Sequence, residues 1–251
     1  MVIGVDGFKR WFEGFEEQYV IIGGTACDIY MESFGEDFRA TKDLDIVLIV
    51  EALTPEFARR FWDYVKAAGY EHRNKSTGNM QFYRFHGPAQ SGYPVMIELF
   101  SRKPDVLILP EEAILTPIPI DDAVSSLSAI LLDDAYYKFM RNGTVLMDGL
   151  PILDPSYIIP FKAKAWLDLT ERRKSGEHVD SKDINKHKRD ILRLMNLIPQ
   201  NRKVKVSIEI KNDMDVFIDA MRQENINLKQ LGVVGRTMEE ILADMSSMYV
   251  L

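Results

Sequence analysis

The stretch from Ile21 to Val50 constrains this chain most: an apolar Ile21-Ile22 pair, a Gly23-Gly24-Thr25 turn, then Arg39-Ala-Thr41-Lys-Asp43-Leu-Asp45 running into Ile46-Val-Leu-Ile-Val50. Two carboxylates therefore stand at the mouth of an apolar strand. Residues two apart on a strand share a face, so Asp43 and Asp45 project together, roughly 7 Å apart at about 3.3 Å rise per residue. Left alone they repel. A divalent cation relieves that repulsion, and Mg²⁺ takes one or two carboxylates while keeping waters and substrate phosphates in its remaining positions. The pattern points to phosphate chemistry.

The strand from Tyr19 to Ile22 enters the glycine turn, and Gly23-Gly24 permits close backbone approach. Thr25 is expected to cap the helix that runs to Phe34. Strand, glycine turn and helix make a corner able to face phosphate. Before it, Ile3, Phe8, Trp11, Phe12 and Phe15 recur mostly at three- and four-residue spacings, which predicts an amphipathic helix between Val2 and Phe15. After the acid-bearing strand (Leu44 to Val50), Thr54-Pro55 predicts a capped helix that Gly69 ends after Ala68. Strands are expected near Met80 to Phe85 and from Val95 to Phe100, separated by a loop of turn formers from Gly87 to Pro94. Val106 to Leu109 and Ile114 to Ile120 are short and proline-flanked, which suits edge strands.

From Asp121 the spacing becomes helical, with a proline-bearing break at Leu150 to Pro155. Long helices are predicted near Tyr157 to Arg173, Ser181 to Leu197 and Asp213 to Gln223, and Thr237 is placed to cap a last one through Glu239 to Met245. The fold class expected is α+β, with a mixed-sheet domain over residues 1–120 and a mainly helical domain over 121–251.

At 251 residues and 46% hydrophobic, the chain can bury a sizeable core. Cys27 is its single cysteine, so neither an internal disulfide nor a cysteine zinc cluster can form. The first ten residues lack the basic-then-apolar order of a signal peptide, and no apolar run approaches the ~18 residues a membrane span needs, so a cytoplasmic protein is expected. The net charge of −7 is unevenly spread. Between Lys162 and Lys211 there are 14 Lys/Arg against 7 Asp/Glu, leaving the rest of the chain at −14. A basic segment beside an acidic, cation-seeking one suits a phosphate-bearing substrate, and equally describes a solvated helix face.

Glu98 interrupts the otherwise apolar Val95-Met-Ile-Glu-Leu-Phe100. A lone ionised carboxylate there is costly to bury unless paired or metal-bound. As a third acid beside Asp43 and Asp45 it completes a metal cluster or serves as the base for an attacking hydroxyl; the alternative is an edge-strand glutamate facing water. His187 in Lys186-His187-Lys188 reads as a solvated helix histidine, and His72, His86 and His178 show no ligand spacing.

Taken together, Gly23-Gly24-Thr25, Arg39-x-Thr41-x-Asp43-x-Asp45 and a later strand acid resemble the nucleotidyltransferase superfamily whose fold is shared with DNA polymerase beta. With the helical second half, the run looks like the AbiEii-type nucleotidyltransferases, a group that includes toxins of toxin-antitoxin and phage-defence systems. The resemblance implies that Gly23, Gly24 and Thr25 hold nucleotide phosphates, that Asp43, Asp45 and Glu98 bind Mg²⁺ and carry catalysis, that Arg39 neutralises phosphate and that Thr41 steadies the acid-bearing strand. Lys162 and Asp183 resemble the family's lysine on one helix and acid on the next, with Lys164 and Asp190 as the alternatives one register away. Thr25 stands where serine is usual and Glu98 where aspartate is usual. The implied activity moves an NMP from an NTP to a hydroxyl on RNA, protein or a small molecule, with an antitoxin as an implied protein partner. A nucleotide- or partner-binding module that has lost turnover shares the fold. An antibiotic-modifying transferase shares the site.

Overall fold

The computed structural model describes residues 2–39, 41–71, 84–100, 130 and 133–251, and the protein is mixed α and β. The chain divides into two compact units, 1–124 with 144–153, and 125–143 with 154–251.

The first unit is built on a six-stranded sheet in the order β3-β4-β2-β1-β6-β5. Its strands are β1 (Tyr19–Ile22), β2 (Asp43–Leu48), β3 (Arg84–His86), β4 (Met96–Phe100), β5 (Thr144–Met147) and β6 (Leu150–Leu153). The sheet is mixed: β2 runs parallel to β4 and β1 parallel to β6, while β1/β2, β3/β4 and β5/β6 are antiparallel. Its helices among the described residues are α1 (Val5–Trp11), α2 (Gly23–Ser33) and α3 (Pro55–Ala68).

Alternation along the central strands separates two faces. Leu44, Ile46, Phe85, Ile97 and Leu99 are buried, while Asp43, Asp45, Arg84 and Glu98 between them keep partial exposure. Aromatic packing supplies much of the unit's core. Phe12, just after α1, meets Phe57 and Tyr64 of α3 at ring-centroid distances of 5.5 Å each, and Phe61 meets Phe85 of β3 at 5.4 Å. Such pairs contribute about 0.5–1.5 kcal/mol beyond the area they bury. The Trp11 indole N–H donates to Arg60 O at 3.0 Å and Arg60 Nε donates back to Trp11 O at 2.8 Å, which fixes α1 against α3.

Local signals predicted α3 closely. The Thr54 hydroxyl accepts from Phe57 N at 3.2 Å, Pro55 is the first helical residue, and Gly69 at φ +68° ends the helix. The start of α2 differs from expectation. The helix begins at Gly23 rather than after Thr25, Ile22 precedes it without a side-chain cap, and Thr25 is fully buried inside its first turn. The expected strand near 80–85 is seen as β3 from Arg84; its part at 80–83, and the edge strands expected at 106–109 and 114–120, lie outside the described residues.

The break expected around Leu150 is a strand. Residues 144–153 form a hairpin, with Asp148 at φ +47° and Gly149 at φ +71° in its turn, and the hairpin returns the chain to the first unit's sheet beside β1. Pro151 sits inside β6, where helical spacing carries no information about pairing with a strand 131 positions earlier in the chain (Ile21 with Ile152).

The second unit contains α4 (Asp134–Asn142), α5 (Pro155–Lys174), α6 (Ser181–Leu197), α7 (Ile208–Met221) and α8 (Met238–Met248), with a short parallel pair β7 (Val204–Lys205) and β8 (Tyr249–Val250). Helix α7 starts five residues before the spacing predicts, at the Ser207 cap. Thr237 and Glu240 form the reciprocal capping box that opens α8. Pro160 lies within α5 and has no N–H to offer the carbonyl of Ser156 four residues back. The Tyr249 hydroxyl donates to that carbonyl instead, at 2.7 Å. Among the described residues, no helix is long and apolar enough to cross a membrane.

Candidate functional site

The register of the sheet sets Arg84, Glu98, Asp45 and Ile22 in one row across β3, β4, β2 and β1. Directly paired residues on adjacent strands share a face, so Glu98 stands beside Asp45 rather than turned away from it. Asp43 is on the same face one pleat along β2, paired with Met96. The next residue after Ile22 is Gly23, so the row ends at the glycine turn.

Contact between that turn and the acid strand is close. Gly23 has φ +67°, and a Cβ built there would overlap the Asp45 carboxylate, lying 2.9 Å from its Cγ. A Cβ on Gly24 would stand 2.8 Å from Thr41 Oγ1 and 3.4 Å from Arg39 Nη2. Glycine is needed at both positions for the approach of the Arg39–Asp45 run, and at Gly23 for the backbone conformation too. The Thr25 hydroxyl donates to the main-chain carbonyl of Asp43 at 2.6 Å. The Thr25 hydroxyl is therefore spent on holding the acid strand to α2 and does not cap the helix entrance. Arg39 also lies over the Phe38 ring, 5.1 Å from its centroid.

Glu98 is held by Arg84. Its Oε1 accepts from Arg84 Nε at 2.8 Å and lies 2.5 Å from Nη2, with the glutamate side chain 15% exposed. The guanidinium balances a charge that the apolar neighbours of Glu98 cannot solvate. Among the described residues no three His, Cys, Asp or Glu side chains converge as a metal-holding group. Asp43, Asp45 and Glu98 thus share one face of the sheet beside the glycine turn, with Glu98 in an ion pair with Arg84. Arg84 was not legible as a site residue. Its one signal is alternation, Arg84-Phe85-His86, which sets a charge on the same face as Glu98 once the pairing is known.

In the second unit, the Lys162 ammonium donates to Asp190 Oδ2 at 2.8 Å, with the two side chains 7% and 2% exposed. Asp190, the register alternative, is therefore the acid that meets the lysine. Asp183 is about half exposed and pairs with Lys186 one turn along its own helix at 2.9 Å. Asp183 and Asp190 are seven residues, nearly two full turns, apart and so lie on nearly the same side of α6; Asp190 is the one level with Lys162, while Asp183 stands in the exposed first turn. Lys164 bonds Asp213 at 2.9 Å, and Asp213 also accepts from the Tyr136 hydroxyl at 2.9 Å. Burial, then the Asp213 charge, pushes the Tyr136 phenol far above its ordinary value.

Compared with protein-family models, curated proteins and solved structures, the chain has no matching family, protein or structure.

Proposed function

We propose that the protein is a Mg²⁺-dependent nucleotidyltransferase that moves an NMP from an NTP to a hydroxyl of an acceptor on RNA, protein or a small molecule. The observation that carries the reading is the seating of the Asp45 carboxylate against Gly23, with Thr25 tied to the Asp43 carbonyl. A carboxylate pair and the uncapped start of a helix then share one corner, and the two attract the two ends of a metal-nucleotide: the cation and its phosphates.

In this reading the acceptor oxygen attacks the α-phosphorus, the bond from that phosphorus to the bridging oxygen breaks, and pyrophosphate leaves with the electron pair. Asp43 and Asp45 would hold Mg²⁺, which would supply charge neutralisation on the phosphates and acidify the attacking hydroxyl. The α2 backbone N–H groups at Gly23 and Gly24 would serve the phosphate oxygens, Arg39 would add positive charge, and Glu98 would receive the hydroxyl proton. That the protein is a toxin with an antitoxin partner is carried by the family resemblance alone, whichever acceptor is used.

The Arg84–Glu98 pair favours a second reading, a nucleotide-binding module without turnover, because it occupies the third acid. Incubation with Mg²⁺ and each labelled NTP, with total RNA or protein as acceptor, separates them when wild type is compared with the double variant Asp43→Ala, Asp45→Ala. Transfer that the variant loses supports the enzyme. Mg²⁺-dependent NTP binding without transfer to any acceptor supports the module, and absence of both overturns the nucleotide reading.

A further inference from the structure

Nε and Nη2 are the two donors on one edge of the Arg84 guanidinium, and in the strongest arginine–carboxylate pairing such an edge meets both oxygens of the acid. Here both donors reach the same oxygen. Glu98 Oε1 accepts from Nε at 2.8 Å and stands 2.5 Å from Nη2. Glu98 Oε2 has no hydrogen-bond partner among the described residues, yet it is not one of the polar atoms sealed from solvent without a partner. The grip therefore takes one oxygen of the carboxylate and leaves the other open.

The sheet register gives that asymmetry a direction. Arg84 and Asp45 flank Glu98 in one row, a strand to either side, so Oε1 is drawn toward β3 while the opposite neighbour of β4 is the strand that carries Asp45. Among the described residues Arg84 pairs with Glu98 alone, and its side chain is 39% exposed against 15% for the glutamate. An arginine that served only to neutralise a shielded charge would gain more by engaging both oxygens.

We propose that Arg84 is a positioning residue: by holding Oε1 it fixes the Glu98 carboxylate with Oε2 presented to the acceptor hydroxyl. The proposal rests on the nucleotidyltransferase reading. Oε2 takes the hydroxyl proton while the acceptor oxygen bonds to the α-phosphorus, and pyrophosphate leaves with the electron pair of the broken bond. The proton ends on Glu98 as a neutral carboxyl whose Oε1 still accepts from Arg84. Because the same N–H groups hold the same oxygen before and after, the carboxylate needs no rearrangement at the moment of reaction. The ion pair is then compatible with turnover, since one oxygen of the third acid stays open.

The test measures transfer of label from α-labelled NTP, with Mg²⁺, to total RNA or protein at saturating NTP. Wild type, Arg84→Met, Glu98→Gln and the double variant are compared below the unfolding midpoint of each. Arg84→Met is expected to slow transfer about a hundredfold, with the half-saturating NTP concentration within about twofold of wild type. Glu98→Gln should slow it at least as much, and adding Arg84→Met to it should change the rate by less than about twofold, because Arg84 acts through that carboxylate. A merely structural role shifts unfolding midpoints and leaves this cycle additive. Should Arg84→Met not fold, Arg84→Lys, which keeps the charge without the planar fork, takes its place with an expected loss of about tenfold. In the free protein the Arg84 Nε–H resonance, assigned by its absence in Arg84→Lys, should lie downfield of free arginine and return toward it in Glu98→Ala. An unshifted resonance, transfer undiminished by Arg84→Met, or equal losses with and without the Glu98 carboxylate overturns the assignment and leaves the nucleotidyltransferase reading standing. Absence of transfer by wild type to either acceptor overturns both.

Discussion

The carboxylate of Asp45 lies against the bare α-carbon of Gly23, in the space that a Cβ at that position would need. Two demands meet at one residue, since Gly23 also holds φ +67°, a conformation other L-residues adopt only at a cost.

Replacing Gly23 by alanine is expected to destabilise the protein by about 1–3 kcal/mol from backbone strain. It should also displace Asp45 enough to lower any nucleotide transfer about a hundredfold. Gly35→Ala provides the control, because Gly35 has φ +72° with open space around it. It should lose stability through strain alone and keep activity. Thermal unfolding and the labelled-NTP assay read the two effects separately.

Arg84 and Glu98 are partners across β3 and β4 in a setting where the glutamate is largely shielded. A double-mutant cycle with Arg84→Met and Glu98→Gln should show a coupling energy of about 1 kcal/mol or more by denaturant unfolding. Additive effects would mean the pair contributes nothing specific to the sheet.

Breaking the Lys162–Asp190 pair strands a buried charge. Lys162→Met is expected to cost about 3–5 kcal/mol, and adding Asp190→Leu should recover much of the loss. Asp183→Ala, at an exposed site paired with Lys186 on the same helix, should change stability by less than about 1 kcal/mol. Chemical denaturation of the four proteins ranks them.

Tyr249→Phe removes the donor that serves the Ser156 carbonyl above Pro160. Leaving that buried acceptor unsatisfied is expected to cost about 1–3 kcal/mol. The combined variant Pro160→Ala, Tyr249→Phe restores a helical N–H and should lose less, as measured by the unfolding midpoint.

Burial raises the phenols of Tyr19, Tyr64, Tyr70, Tyr136 and Tyr249 above their ordinary value of 10.0. Because the folded protein holds the neutral form more tightly than the unfolded chain, their contribution is complete below about pH 10. It is lost as pH rises from there toward the folded-state values, at up to about 1.4 kcal/mol per pH unit for each phenol. Denaturant midpoints measured from about pH 8 upward should stay level as far as these groups are concerned and fall steeply past about pH 10.

The sequence by itself determined what short spacing encodes. The Thr54-Pro55 start and Gly69 end of α3, the Thr237 cap of α8, and Asp43 and Asp45 on one face of β2 follow from local rules of helix ends and strand alternation. What lay beyond those rules was pairing between distant segments. A period of two fixes which residues share a face but not which strand lies alongside. Only the folded register could set Glu98 beside Asp45 and give it Arg84, and only the sheet could reclaim 144–153 from a segment with helical spacing on either side. The same holds for Asp190 over Asp183: seven residues apart, they lie on nearly one side of α6, and only the packing of α6 on α5 sets which of them is level with Lys162. Thr25 shows the limit most plainly: a hydroxyl after two glycines reads as a cap, yet burial against β2 gave it the Asp43 carbonyl, because a buried backbone acceptor must find a donor wherever tertiary packing supplies one.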